Sequence, residues 1–255
     1  MNKKKVFFIL TIITILFFSG IYVYTHRSVP ILMYHSFDAQ RIGEYAAVSP
    51  QTFKKQLEFM KEKGYQVISL SEYCRLLKTK EPIPHKAVVL TIDDGLRDTR
   101  AAIEMLNQFD FPATVFLIVD KIDKQDYLTQ ETIRWFLDNT RVSIGSHTLT
   151  HAYLPSLSEA QIKEEIYLSK QRLEKMFSYP VVTISYPIGG FNQSVLSEVE
   201  EAGYLCACAT NRGFSRKLNI FALRRIKITE RDLGFKLWAK LSGVYTVFKK
   251  VKYPY

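Results

Sequence analysis

The chain has 255 residues, 47% hydrophobic and 24% charged, which is enough for one large folded domain and argues against wholesale disorder. Its formal charge of +10 is unevenly spread: three charges belong to Lys3, Lys4 and Lys5, and five net belong to residues 231–255, which leaves the middle close to neutral. A nucleic-acid-binding domain would concentrate positive charge on its folded face, so no nucleic-acid partner is expected; anionic lipid or anionic wall polymer suits the two basic ends better.

Residues 6–25, "VFFILTIITILFFSGIYVYT", are uncharged and follow the three lysines. About 20 apolar residues match a bilayer span, and the preceding lysines orient the rest of the chain outward. A cleaved signal segment is the alternative, but no A-x-A-like site follows. Residues 1–28 are therefore read as a membrane anchor or signal segment. The domain after it is placed outside the cytoplasmic membrane or at the cell surface.

Strand and helix signals then alternate. "VPILMYH" predicts a strand. Ser49-Pro50 supplies an N-cap and a first-turn proline for the helix "TFKKQLEFMKEKG". "YQVISL" predicts a strand and "SEYCRLLKT" a helix. "AVVLTI" predicts a strand that ends in Asp93-Asp94-Gly95, with the helix "TRAAIEMLNQF" behind it. "ATVFLIV" and "TQETIRWFLDN" form the next strand and helix. "RVSIGS" is a strand ending at His147, followed by the long helix "SEAQIKEEIYLSKQRLEKMF". "VVTISYP", "QSVLSEVEEAG", "LCACAT" and "LRRIKI" complete the series as strand, helix, strand and strand. Such alternation makes a parallel sheet. About seven βα units, with no G-x-G-x-x-G after the early strands, favour a closed barrel over a dinucleotide-binding sheet.

The three cysteines, Cys74, Cys206 and Cys208, do not form a disulfide framework by number or spacing. They are read as small buried hydrophobes, with a Cys-x-Cys metal site as the alternative. Residues 231–255 form a basic amphipathic segment, read as a terminal helix packed on the barrel or, alternatively, as an interfacial segment.

Functional groups of a parallel barrel gather at the C-terminal ends of its strands. His35, Asp93, Asp94, His147, His151 and Pro187 all fall at such ends. Asp94, His147 and His151 offer two imidazoles and a carboxylate, an open ligand set for a divalent metal ion. Zinc is the first expectation; nickel, cobalt and iron(II) are also compatible. Two adjacent aspartates then make sense. One would hold the cation while the other takes a proton from the attacking water. His26 and His85 receive no role.

"TIDDG", "SHTLTH" and "SYPIG" resemble the first three motifs of the polysaccharide deacetylases with the NodB-homology fold. The resemblance covers roughly residues 29–229. It implies a distorted (β/α)7 barrel over residues 29–230 and removal of N- or O-acetyl groups from a polysaccharide. It also implies Asp93 as general base, Asp94, His147 and His151 as metal ligands, and the turn Tyr186-Pro187-Ile188-Gly189 as the oxyanion and substrate wall, with the Ile188 N–H donating. Two departures stand out. The family's usual arginine two residues before the proline is Ser185 here, and its late leucine-x-histidine is missing after "FALRRI". Arg224 or Arg225, the latter favoured by its place in "LRRI", is expected to orient Asp93 instead. The opening "VPILMYHSF" resembles the poly-β-1,6-N-acetylglucosamine deacetylases of intercellular adhesin biosynthesis, in which an early histidine serves as acid. That resemblance gives His35 the acid role. It points to N-acetylglucosamine residues of an extracellular biofilm polymer as substrate and to a monomeric enzyme. Peptidoglycan or chitooligosaccharide is the alternative substrate, and a non-catalytic glycan-binding protein is the alternative class.

Overall fold

The computed structural model describes residues 29–43, 46–210, 219–243 and 245, together with Lys5, Phe7, Phe8, Thr11 and Thr14. The remainder of the apolar stretch at residues 6–25, and the basic tail beyond 245, lie outside the described residues. Among the described residues, no helix is long and apolar enough to cross a membrane.

Nine strands alternate with seven helices among the described residues. The strands are β1 (Ile31–Tyr34), β2 (Gln66–Val67), β3 (Ala87–Ile92), β4 (Ala113–Leu117), β5 (Val142–Ser146), β6 (Thr183–Ser185), β7 (Cys206–Ala209), β8 (Leu223–Arg224) and β9 (Ile226–Lys227). The helices are α1 (Pro50–Glu62), α2 (Leu70–Thr79), α3 (Thr99–Phe109), α4 (Gln130–Asn139), α5 (Glu159–Phe177), α6 (Gln193–Glu201) and α7 (Phe235–Leu241). Helix starts follow their caps. Ser49, Ser69, Thr129 and Asn192 each accept a backbone N–H of the first turn, and Ser158 with Gln161 forms a full capping box. Strands β3 and β4 are buried throughout, as continuous apolar runs in a helix-covered parallel sheet must be.

Every strand pair is parallel, in the order β8-β7-β6-β5-β4-β3-β1-β9, with β2 on the first half of β3. The two ends of this order are successive pieces of one segment. Leu223 and Arg224 pair with β7, whereas Ile226 and Lys227 pair with β1. The "LRRIKI" run is thus two short strands rather than one. The segment changes neighbours at Arg225 and so brings the sheet to a near-closed barrel.

Two apolar clusters follow. The larger packs outward residues of the strands, such as Leu32, Leu90 and Ile144, against the helices. The smaller joins Ile31, Val89, Phe116, Cys206, Cys208 and Leu223 to Leu70, Tyr73 and Cys74 of α2, which closes the floor of the barrel. The "YQVISL" strand is correspondingly short, because Ser69 caps α2 and Leu70 belongs to it.

The cysteine expectation is corrected here. Cys74 of α2 and Cys206 of β7 form a disulfide, Cα–Cα 6.3 Å apart and 132 residues apart in sequence. Only Cys208, buried, stays a thiol. The pairing depends on a floor helix meeting a strand far along the chain, which residue spacing does not reveal. Closing so long a loop stabilises the fold by about 4–5 kcal/mol in the chain-entropy treatment.

Of the C-terminal segment, α7 buries Leu237, Lys240 and Leu241 against the barrel and leaves Phe235 and Trp238 exposed. Lys240 Nζ binds Asp232 Oδ2 at 2.7 Å and the Lys227 carbonyl at 2.7 Å, which fixes the helix beside β9.

Candidate active site

Strands β1, β3, β5 and β6 all end at the mouth of the barrel, and each delivers polar groups there. His147 follows β5 directly, and its N–H bonds the Leu117 carbonyl at the end of β4. Its ring Nδ1 donates to the Ser185 carbonyl at 2.8 Å, which leaves Nε2 with its lone pair free. That Nε2 lies 3.4 Å from Asp94 Oδ1; His151 Nε2 lies 3.6 Å from the same oxygen. Ligand atoms of Asp94, His147 and His151 all fall within 4.8 Å of one another. Two imidazole nitrogens and one carboxylate oxygen converge, with one tautomer fixed by a backbone acceptor. This donor set fits a divalent cation of the zinc type.

The backbone is distorted to achieve this. Asp94 (φ 71°), Thr148 (φ 64°), His151 (φ 71°) and Ile188 (φ 59°) all adopt left-handed conformations. Each costs about 1–3 kcal/mol and persists only where its surroundings hold it.

Asp93 is buried beneath Asp94 and does not join the three ligands. Arg225 grips it in bidentate fashion, Nη1 to Oδ1 at 2.6 Å and Nη2 to Oδ2 at 2.7 Å. The guanidinium also donates to Thr91 Oγ1, Ser185 Oγ and the Ala209 carbonyl, so all five of its donors are used. Phe116 lies beneath it, 5.5 Å from ring centroid to Cζ. Burial works to raise the Asp93 pKa, but Arg225, His147 and His35 override it and hold the carboxyl well below the usual range.

Arg225→Met is expected to destabilise the fold by about 3–5 kcal/mol, since it strands a buried carboxylate without its counter-charge. Urea unfolding measures this; a loss under about 1 kcal/mol would mean that the pair carries no such burden.

His35, following β1, points Nε2 at Asp93 Oδ2 across 3.9 Å and is partly open to solvent. Its Nδ1 is buried with no hydrogen-bond partner among the described residues. Burial lowers its pKa, and the opposing pull of Asp93 and Asp94 does not overcome it.

The turn Tyr186-Pro187-Ile188-Gly189 forms the facing wall. Tyr186 is buried and donates its hydroxyl to the Phe221 carbonyl, so it supports the wall from behind. Gly189 and Gly190 give their N–H groups to the Tyr186 and Pro187 carbonyls. The Ile188 side chain is exposed, and its carbonyl accepts from Thr210. A Cβ at Gly189 would meet Thr210 Oγ1 at 2.0 Å, and one at Gly190 would meet Tyr153 Cε2 at 2.2 Å. The glycines therefore admit Thr210 and Tyr153.

The structure thus brings His35, Asp93, Asp94, His147, His151, Arg225 and the Ile188 turn to one mouth. Arg224, the other arginine considered, sits in β8 paired with Ala209. Residue patterns alone missed Ser185 and Thr91. Ser185 serves His147 through its carbonyl and Arg225 through its hydroxyl. The only cue was a polar residue ending an apolar strand.

The family model described as polysaccharide deacetylase matches residues 80–207. The Bacillus subtilis protein YxkH, which carries this family's name, is 31% identical over 217 residues, 84% of this chain and 76% of its own length. A peptidoglycan-N-acetylglucosamine deacetylase of Bacillus cereus is 29% identical over 48% of this chain and 56% of its own. A poly-β-1,6-N-acetyl-D-glucosamine N-deacetylase of Escherichia coli is 24% identical over 50% of this chain and 22% of its own. Among solved structures, the Streptococcus pyogenes deacetylase PplD, in complex with acetate, superposes with a TM-score of 0.78 and 28% identity. That match covers 84% of this chain and 97% of PplD.

Proposed function

This chain belongs to the polysaccharide deacetylase family, hydrolases of amide bonds, and from that premise we propose that it removes acetyl groups from N-acetylglucosamine residues of an extracellular polysaccharide. The observation that carries the proposal is the pairing of two distinct acid sites at one barrel mouth: the Asp94, His147, His151 donor set, and the Arg225-held Asp93 beside it.

Asp94, His147 and His151 would hold a divalent cation, zinc by donor chemistry, with nickel, cobalt and iron(II) compatible. When bound, the cation supplies a Lewis acid that polarises the acetyl carbonyl and acidifies the attacking water enough for so weak a base. Asp93, kept ionised and aimed by Arg225, accepts the proton of that water as its oxygen bonds the acetyl carbon. The N–H of Ile188, in its left-handed turn, would donate to the carbonyl oxygen as charge builds there. His35, entering the step as imidazolium beside Asp93, gives its Nε2 proton to the glucosamine nitrogen as the C–N bond breaks and is left as neutral imidazole. The products are acetate and a free amine, which makes the polymer cationic.

His35→Ala is expected to lower kcat by about 10²–10⁴-fold with metal content unchanged, the usual worth of a positioned acid. Near-parental turnover, measured as acetate release, would remove His35 from that role.

For the polymer, the β-1,6-linked substrate rests on the early "VPILMYH" strand, which puts the acid on β1, and on partial similarity to the Escherichia coli enzyme. Similarity to the Bacillus cereus enzyme favours peptidoglycan as the second reading. Acetate release from β-1,6-linked and β-1,4-linked oligomers and from peptidoglycan, side by side, decides between them; faster release from either of the latter two overturns the β-1,6 assignment.

The proposed location is outside the cytoplasmic membrane, attached or released through residues 1–28. The Cys74–Cys206 disulfide supports it, because such bonds persist in oxidising compartments. Protease added to intact cells should cut the domain; full protection would contradict this.

A further inference from the structure

The loop from His147 to His151 carries two of the three metal-site residues and two left-handed backbone positions, Thr148 and His151. It is not braced by the strands alone. Helix α5 turns two buried side chains, Glu165 and Ser169, towards it from positions one turn apart. Ser169 accepts the Ser146 hydroxyl at 2.8 Å, and Ser146 Oγ in turn accepts the Thr148 N–H at 3.0 Å. Glu165 does more. Its Oε2 accepts the N–H groups of Leu149 at 2.9 Å and Thr150 at 3.0 Å, and its Oε1 accepts the Thr150 hydroxyl. Thus three donors of the segment between the two histidines end on one carboxylate.

We infer that Glu165 is a positioning residue of the metal site. It clamps residues 149 and 150 so that His147 and His151 keep their imidazoles on the same side of the loop, 4.8 Å between ring centroids. Without it, two N–H groups lose their acceptor and the two residues between the left-handed positions lose their brace, so the loop relaxes and the histidines part. This inference rests on the metal reading above and adds a requirement that the three ligands do not by themselves contain.

The test is zinc affinity, measured on the full chain by competition with a chromophoric chelator, with the cobalt absorption spectrum as a reporter of ligand geometry. Glu165→Met fills the same space without an acceptor. It is expected to weaken zinc binding about 10–100-fold, the usual effect of removing a group that orients metal ligands. Glu165→Gln can keep its oxygen on the two N–H groups and donate to the Thr150 hydroxyl, so it should restore binding to near the parent value. A role confined to stability would lower the melting temperature of the metal-free protein and leave the zinc affinity of the folded fraction unchanged. Parental affinity in Glu165→Met overturns the inference alone; a parent that binds no zinc overturns the metal reading with it. Should Glu165→Met fail to fold, Thr150→Val removes one of the three bonds and is expected to weaken zinc binding about 2–10-fold. An unchanged affinity there counts against the clamp.

Discussion

Asp93→Asn is expected to reduce kcat by about 10²–10⁴-fold while the protein keeps its metal. In the proposed mechanism the carboxylate takes a proton from water, and asparagine has no basic oxygen of comparable strength. The metal is spared because Asp93 is not among the three converging ligands. A second consequence follows from Arg225. Both of its Nη groups donate to the Asp93 carboxylate; an amide would turn an NH2 towards one of them and leave the guanidinium partly uncompensated. Breaking a buried pair of this kind costs about 3–5 kcal/mol, so the variant should also unfold at lower denaturant concentration. Turnover must therefore be measured well below the unfolding transition. Acetate release near the parental rate from a folded, metal-loaded Asp93→Asn would remove Asp93 as the base.

His147→Ala should remove metal and activity together. Of the three candidate ligands, His147 is the most constrained: its ring is buried, its Nδ1 is committed to the Ser185 carbonyl, and its Nε2 faces Asp94. It is one of only two imidazoles in the converging set. Zinc affinity should fall by more than about 10²-fold, exceeding the effect of changing a supporting group. Metal content after dialysis is the direct measure. A variant that retains one equivalent of zinc would place the metal elsewhere.

Much of the fold was legible because its signals are local. Continuous apolar runs marked β3 and β4, Ser49-Pro50 marked the start of α1, and alternation of the two element types implied a parallel barrel. The rule that function collects at strand ends then gathered His35, Asp93, Asp94, His147 and His151 on one rim. What stayed hidden depends on contacts between residues far apart in the chain. Arg225 could be nominated from its run, but its reach to Asp93 exists only because the strand breaks there and passes from β7 to β1. Ser185 looked like the loss of an arginine; in space it joins the arginine's replacement to a histidine. Cys74 and Cys206 meet because α2 closes the floor, and no spacing rule anticipates that. Glu165 drew no notice in its helix, since neither period nor motif distinguishes a buried glutamate from a solvated one.

The central claim is that this barrel mouth deacetylates N-acetylglucosamine polymer with a metal held by Asp94, His147 and His151. The most direct measurement is acetate released from β-1,6-linked N-acetylglucosamine oligomers by the purified chain, before and after removal of metal by a chelator and again after zinc is restored. The account predicts release that stops with the chelator and returns with zinc. Release that is indifferent to the chelator, or no acetate from this or any other N-acetylglucosamine polymer by the zinc-loaded protein, would contradict it.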